Sequence, residues 1–300
     1  MDNKNKKNSS FHRINFIQVL IINLLYVLML YIKKSIINTM TNYNGKLVEL
    51  PKEGKAIVVT DLHGNFDDYK RYMEIWEKYK SNNFQFILTG DFIHAMGIKD
   101  DKSIDILESV KYNWENSENF HILLGNHEWS TISSVSVYKG GLNQSKYFEG
   151  LLKERFGDQW SKKLEEYQNF FKKLPIAVKT DNKVFISHGG PPRNIKSIDE
   201  IINIADEGYL RNDRLSQILW NREEDFSEND LKTFLRTVGC KAMIVGHTPV
   251  DGVKLLYEKQ VIVSSSYTTG KKAYVILDLE KKIKDAKDIL NMVIKLHWYS

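Results

Sequence analysis

The body of the chain alternates short β-branched runs with amphipathic stretches. Lys55–Thr60 carries Ile57, Val58 and Val59 in succession, the pattern of a strand buried on both faces. Phe66–Tyr79 sets Tyr69, Tyr72, Met73 and Trp76 three and four apart, which predicts a helix with one apolar face. The same reading gives strands at Phe84–Thr89 and Phe120–Leu124 on either side of a helix at Ser103–Trp114. A helical insertion follows at Ser145–Lys173, then a strand pair, Ile176–Thr180 and Lys183–Ser187, around the Asp181-Asn182 turn. Ser227 with Asp230 three residues on predicts an N-cap and a helix running to Val238. Strands at Ala242–Val245, Val253–Tyr257, Val261–Ser264 and Ala273–Leu279 complete the pattern. Alternation at the front and β-rich spacing at the back predict an α/β fold, one domain holding two sheets.

The first forty residues break this pattern. An uncharged stretch, Ile14–Ile32, lies between Lys4, Lys6, Lys7 and Arg13 on one side and Lys33 and Lys34 on the other. Its length is about what a helix needs to cross a hydrocarbon core of roughly 30 Å, although Asn15, Gln18 and Asn23 are costly in lipid. Two readings stand: residues 1–39 are a tail with a single-pass N-terminal membrane anchor, or a spurious extension ahead of a true start at Met40. In both, residues 40–300 form the functional domain. The expected location is cytoplasmic; an anchor, with more positive charge before it than after, would hold the N-terminus inside and the body outside.

The tail also changes the meaning of the charge. The chain has 43 Lys and Arg against 38 Asp and Glu, a net +5. Six of the basic residues and only Asp2 of the acidic ones fall in residues 1–39, so the rest balances at 37 of each sign. A neutral body has no electrostatic footprint for a polyanion, which argues against a nucleic-acid partner. A membrane is a partner only if the anchor is real. The lone Cys240 can form neither an intrachain disulfide nor a multi-cysteine zinc site, and beside Ala242–Val245 it reads as a small buried hydrophobe.

Five of the 8 histidines follow expected strands by one to four residues: His63, His94, His127, His188 and His247. Such loops are where open α/β sheets place their ligands. Asp61 accompanies His63, Asp91 precedes His94, and Asn126 adjoins His127, while glycines flank His188 and His247. Imidazole with carboxylate suits borderline divalent metals, Mn, Fe or Zn.

Asp61-Leu62-His63-Gly64, Gly90-Asp91, Gly125-Asn126-His127-Glu128, His188-Gly189-Gly190 and Gly246-His247-Thr248 together resemble the ordered motifs of calcineurin-like metallophosphoesterases. The Asn-His-Glu form is similar to the phosphoprotein phosphatase type of serine/threonine phosphatase. The resemblance runs from about Ala56 to Leu279. It implies a four-layer sandwich of class α/β, two mixed β-sheets packed face to face and flanked by helices. It also implies two divalent metal ions, Asp61 and His63 holding the first, Asp91 bridging both, and Asn126, His188 and His247 holding the second. The implied activity is hydrolysis of phosphomonoesters, protein phosphoserine or phosphothreonine among them, by a hydroxide held between the metals with His127 as general acid. The expected partner is a phosphorylated protein or a small phosphoester.

The chain departs from the family after Gly90-Asp91. Phe92-Ile93-His94-Ala95 stands where the family continues through Asp-Arg-Gly. The absent arginine would grip phosphate bidentately, and the absent aspartate would partner the acid histidine, a charge His94 does not supply. Arg222, in Trp220-Asn221-Arg222-Glu223, is the first candidate replacement for substrate binding and Arg193 the second. The helical insertion around 129–173 is expected either to cap the cleft or to pack its aromatics on the sheet. Two other functions fit the same motifs: a nucleotide or dinucleoside polyphosphate hydrolase, against which Glu128 argues, and a non-catalytic metal-binding scaffold, against which six filled ligand positions argue.

Overall fold

A computed structural model describes residues 41–95, 100–139 and 141–296. The strands among them are β1 (Asn42–Asn44), β2 (Leu47–Glu49), β3 (Lys55–Val59), β4 (Phe84–Leu88), β5 (Phe120–Ile122), β6 (Tyr138–Lys139), β7 (Leu142–Asn143), β8 (Ala177–Lys179), β9 (Val184–Ser187), β10 (Ala242–Val245), β11 (Val253–Leu256), β12 (Gln260–Val263), β13 (Lys272–Asp278) and β14 (Val293–Leu296). They form a seven-stranded sheet ordered β1-β2-β8-β9-β10-β12-β11, a five-stranded sheet ordered β14-β13-β3-β4-β5, and the ribbon β6-β7. Both larger sheets are mixed. β3, β4 and β5 run parallel, as do β9, β10 and β12, while β13 lies antiparallel to β3 and β11 antiparallel to β12.

Strand alternation builds the layers. Ala56, Val58 and Ile87 of one sheet join Val184, Ile186, Ala242, Ile244, Val261 and Val263 of the other in a single apolar cluster, which is the middle of the sandwich. Their neighbours Ile57, Val59, Phe86, Leu88, Phe185, Met243, Val245 and Ile262 face the other way, into a cluster with helical residues such as Tyr72, Trp76, Leu107, Phe171 and Leu219. Burial on both faces is why these strands read as unbroken hydrophobic runs.

The expected helix Phe66–Tyr79 is observed with those bounds, and Asn65 caps it on the Asp68 N–H. The helix Ser103–Asn116 runs two residues past its expected end. The insertion is two helices, Gln144–Phe156 and Trp160–Lys173, broken at Gly157, whose φ is 51°. Ser227 caps Glu228–Thr237 in a capping box with Asp230, as the spacing predicts. Among the described residues no helix is long and apolar enough to cross a membrane; the stretch Ile14–Ile32 lies outside them.

Candidate metal centre

Both sheets deliver side chains to one place. Asp61 and His63 follow β3, Asp91 and His94 follow β4, and Asn126 and His127 open the helix Asn126–Ser133 just after β5. His188 follows β9 and His247 follows β10 in the other sheet. The backbone turns into the left-handed region at His63 (φ 45°), Asp91 (53°), His94 (64°) and His247 (60°). Two glycines permit the close approach. A β-carbon on Gly125 would overlap the Asp91 carboxylate, and one on Gly246 would overlap that of Asp61.

Asp91 is the centre of the arrangement. Its Oδ2 lies 3.8 Å from His63 Nε2, 3.8 Å from His127 Nε2 and 3.4 Å from His188 Nε2. Donor atoms of His63, Asp91 and His127 fall within 4.8 Å of one another, and so do those of Asp91, His188 and His247. Asp61 Oδ2 is 3.7 Å from His63 Nε2, and its two oxygens accept the His247 backbone N–H at 2.9 and 3.1 Å. Asn126 Oδ1 stands 2.8 Å from His188 Nε2. The six side chains expected to hold metal therefore converge, with Asp91 common to two groups.

Their ring orientations test whether a cation fits. His188 Nδ1–H donates to the Thr89 carbonyl at 3.1 Å and His247 Nε2–H to the Trp220 carbonyl at 3.1 Å. A carbonyl only accepts, so each ring turns a lone pair from its other nitrogen toward the cluster. His188 Nε2 then faces Asn126 Oδ1, Asp91 Oδ2 and, at 3.2 Å, His247 Nδ1. Four acceptors at this range repel one another unless positive charge stands among them. The titration behaviour points the same way. Burial is the largest influence on His188 and would lower it, yet the charge and hydrogen bond of Asp91 together with the charges of Asp61 and Glu128 outweigh it and push the ring up to about 9. Burial, with Asp91 beside it, pushes Glu128 up to about 8. The groups that share Asp91 are of a kind that could hold a metal ion, and their imidazole and carboxylate donors fit a divalent cation.

Glu128 has a role that sequence reading did not find. It is fully buried, and its carboxylate accepts the backbone N–H groups of Asp91 (2.8 Å), Phe92 (3.1 Å), Ile93 (3.3 Å) and Gly125 (3.1 Å). It thereby locks the turn that carries Asp91 to the start of the helix that carries Asn126 and His127. The available signal was its place three residues after Gly125, the spacing of a capping box. His127 is oriented by its own N–H, 3.0 Å from Asp91 Oδ1, and by His94, whose Nδ1 lies 2.8 Å from His127 Nδ1.

The two candidate arginines separate. Arg222 is partly buried, and its Nε is buried with no hydrogen-bond partner among the described residues. It is close enough to the centre that, after burial and His188, its charge helps push His247 down to about 3. Arg193 is exposed and its charge acts on Asp230 at the start of the helix Glu228–Thr237. The insertion mostly packs: Phe148 and Tyr167 are buried, whereas Tyr138 and Tyr147 are exposed.

A two-sheet sandwich with this donor cluster at the strand ends defines a metallophosphoesterase centre. The chain belongs to the calcineurin-like phosphoesterase family, whose family model matches residues 54–251. It is similar to a protein of Encephalitozoon cuniculi named a serine/threonine-protein phosphatase, 24% identical over 220 residues, covering 68% of this chain and 45% of the relative. A serine/threonine-protein phosphatase of Caenorhabditis elegans is 22% identical over 230 residues, 70% of this chain and 46% of the relative. The chain thus spans less than half the length of these curated relatives. Among solved structures, a protein serine/threonine phosphatase from Saccharomyces cerevisiae shares the fold, with a TM-score of 0.58, 20% identity and coverage of 80% of this chain and 76% of that one.

Proposed function

We propose that the chain is a metal-dependent phosphomonoesterase acting on phosphorylated proteins. The observation that carries this reading is the Asp91 carboxylate, shared between the His63 side and the His188–His247 side of one cluster. In this reading Asp61, His63 and Asp91 hold one divalent ion, and Asp91, Asn126, His188 and His247 hold a second. Two such ions, when bound, neutralise charge on phosphoryl oxygens and acidify water. The chain's own residues do the rest. Glu128 fixes the Asp91 turn through four backbone N–H groups. Arg222, with donors to spare beside His247, grips the phosphoryl oxygens. His127, held between Asp91 and His94, serves the leaving oxygen from its Nε2. The names of the two curated relatives support a phosphoprotein substrate.

The test is to strip the full chain with a chelator, count the metal rebound on adding Mn²⁺ or Zn²⁺, and follow phosphate release from phosphopeptides. Two equivalents and metal-dependent release are expected. Binding of a single equivalent, or undiminished release in chelator, would overturn the reading.

A further inference from the structure

The chain leaving β12 passes from one sheet into the other at the end that carries the donor cluster, and it does so through three consecutive serines. In the five-stranded sheet, β3 and β13 pair as far as Val58 opposite Val275. Two residues further on, Thr60 and Ala273 are parted by Ser264 and Ser265. The Ala273 N–H donates to the Ser264 carbonyl at 2.9 Å. The Ser265 hydroxyl donates to the Ala273 carbonyl at 2.9 Å and accepts the Thr60 N–H at 2.8 Å. Thr60 returns the exchange: its hydroxyl donates to the Val263 carbonyl at 2.9 Å and accepts the Ser265 N–H at 3.1 Å. A carbonyl only accepts, so each hydroxyl spends its one hydrogen there and offers its lone pairs to an N–H. The 3.3 Å between the two hydroxyls is therefore a contact and not a further bond. Both residues are fully buried, where a backbone group without a partner is costly, so two side chains satisfy two N–H groups and two carbonyls reciprocally. The flanking serines reach further. The Ser264 hydroxyl accepts the Val250 N–H at 2.9 Å, in the loop that carries His247, and the Ser266 hydroxyl donates to Asp68 at 2.6 Å, in the first turn of the helix after His63.

The consequence falls on Asp61, which follows Thr60 directly. Its carboxylate receives the His247 N–H from the other sheet, and Gly246 leaves no room for a β-carbon against either Thr60 or Asp61. Asp61 is thus aimed across the gap between the sheets by contacts that need no cation. The other expected ligands are held by different groups: the Asp91 turn by Glu128, the His188 ring by the Thr89 carbonyl and the His247 ring by the Trp220 carbonyl. None of those contacts runs through Thr60 or Ser265. We propose that Thr60 and Ser265 are positioning residues that set Asp61 for the first of the two cations, so that the strength of that site, and not of the other, depends on their hydroxyl exchange. This inference rests on the reading of a two-cation centre given above, and its test separates it from the phosphomonoesterase activity.

The full chain, stripped with a chelator, is titrated with Co²⁺ and followed by calorimetry and visible absorption. His63→Ala and His247→Ala identify which binding step belongs to which side of Asp91. Thr60→Val, which keeps the shape and removes the hydroxyl, is expected to weaken the step that His63→Ala removes by about 10–100-fold and to shift its absorption band. The step that His247→Ala removes is expected to stay unchanged. Thr60→Ser, which keeps the hydroxyl, restores the first step. Equal weakening of both steps, no weakening of either, or a Thr60→Ser chain no better than Thr60→Val overturns the proposal. Should Thr60→Val fail to fold, Ser265→Ala, which takes the acceptor from the Thr60 N–H, is held to the same outcomes. Amide hydrogen exchange of the metal-free full chain gives a readout that needs neither variant nor cation. The Thr60 and Ser265 N–H groups are expected to exchange as slowly as those of β3, and fast exchange at either overturns the proposal. A chain that binds both ions and shows the selective loss, yet releases no phosphate, defeats the phosphomonoesterase activity alone; one that binds a single ion overturns both readings.

Discussion

Glu128→Gln is the most informative single change. The carboxylate receives four backbone N–H groups, two on Oε1 from Phe92 and Ile93 and two on Oε2 from Asp91 and Gly125. Glutamine has one oxygen to offer, so two of these donors would meet an amide nitrogen that also donates. Each buried donor left without a partner costs about 1–3 kcal/mol, which gives roughly 2–6 kcal/mol for the pair. Against a typical domain stability of about 5–15 kcal/mol, that is a large share. For a domain of this size each kcal/mol moves Tm by about 2–4 °C, so a drop on the order of 10 °C is expected in a thermal melt. The Asp91 turn loosens at the same time, and loss of such a supporting contact weakens metal affinity by about 10–100-fold, measurable by calorimetry. Glu128→Gln with an unshifted melt and unchanged metal affinity would refute the reasoning that this side chain fixes the Asp91 turn.

Three further outcomes are expected. Asp91→Ala abolishes turnover and metal binding together, whereas His127→Ala retains metal by elemental analysis and loses turnover on phosphopeptides; full metal retention in Asp91→Ala would contradict this. Arg222→Ala raises KM for phosphopeptides by about tenfold, the loss of roughly one charge-assisted hydrogen bond, and the same change at Arg193 moves KM less. Lys272→Met removes the positive charge that Asp68 meets at 2.5 Å in a buried pair and leaves its carboxylate with only neutral donors such as Asn65 and Ser266, which lowers stability by about 3–5 kcal/mol in denaturant titration without altering KM.

The elements legible in the sequence are those whose pattern is set locally. β3, β4, β9 and β10 announced themselves because both faces are buried, and Ser227 because its capping partner is three residues away. β1 is wholly exposed and carries no hydrophobic signature, and β14 is only four residues long with two of them exposed; the two-residue strands β6 and β7 are too short for any period. The helix Asp213–Trp220 went unread although Asn212 caps it over Leu215, Ile218 and Leu219. At the site, residue types and order pointed to the metal ligands. The contacts that make them work could not be read, because they join distant stretches: Glu128 to Asp91 across 37 positions, His188 to Thr89 across 99, and His94 to His127 across 33.

Four of the converging side chains, at 63, 91, 94 and 247, hang from backbone with positive φ. An L-residue pays roughly 1–2 kcal/mol for that conformation, which glycine adopts freely. A library of this protein screened for heat tolerance alone would therefore drift toward glycine at these four places, and its hardiest members would be those that had discarded the chemistry.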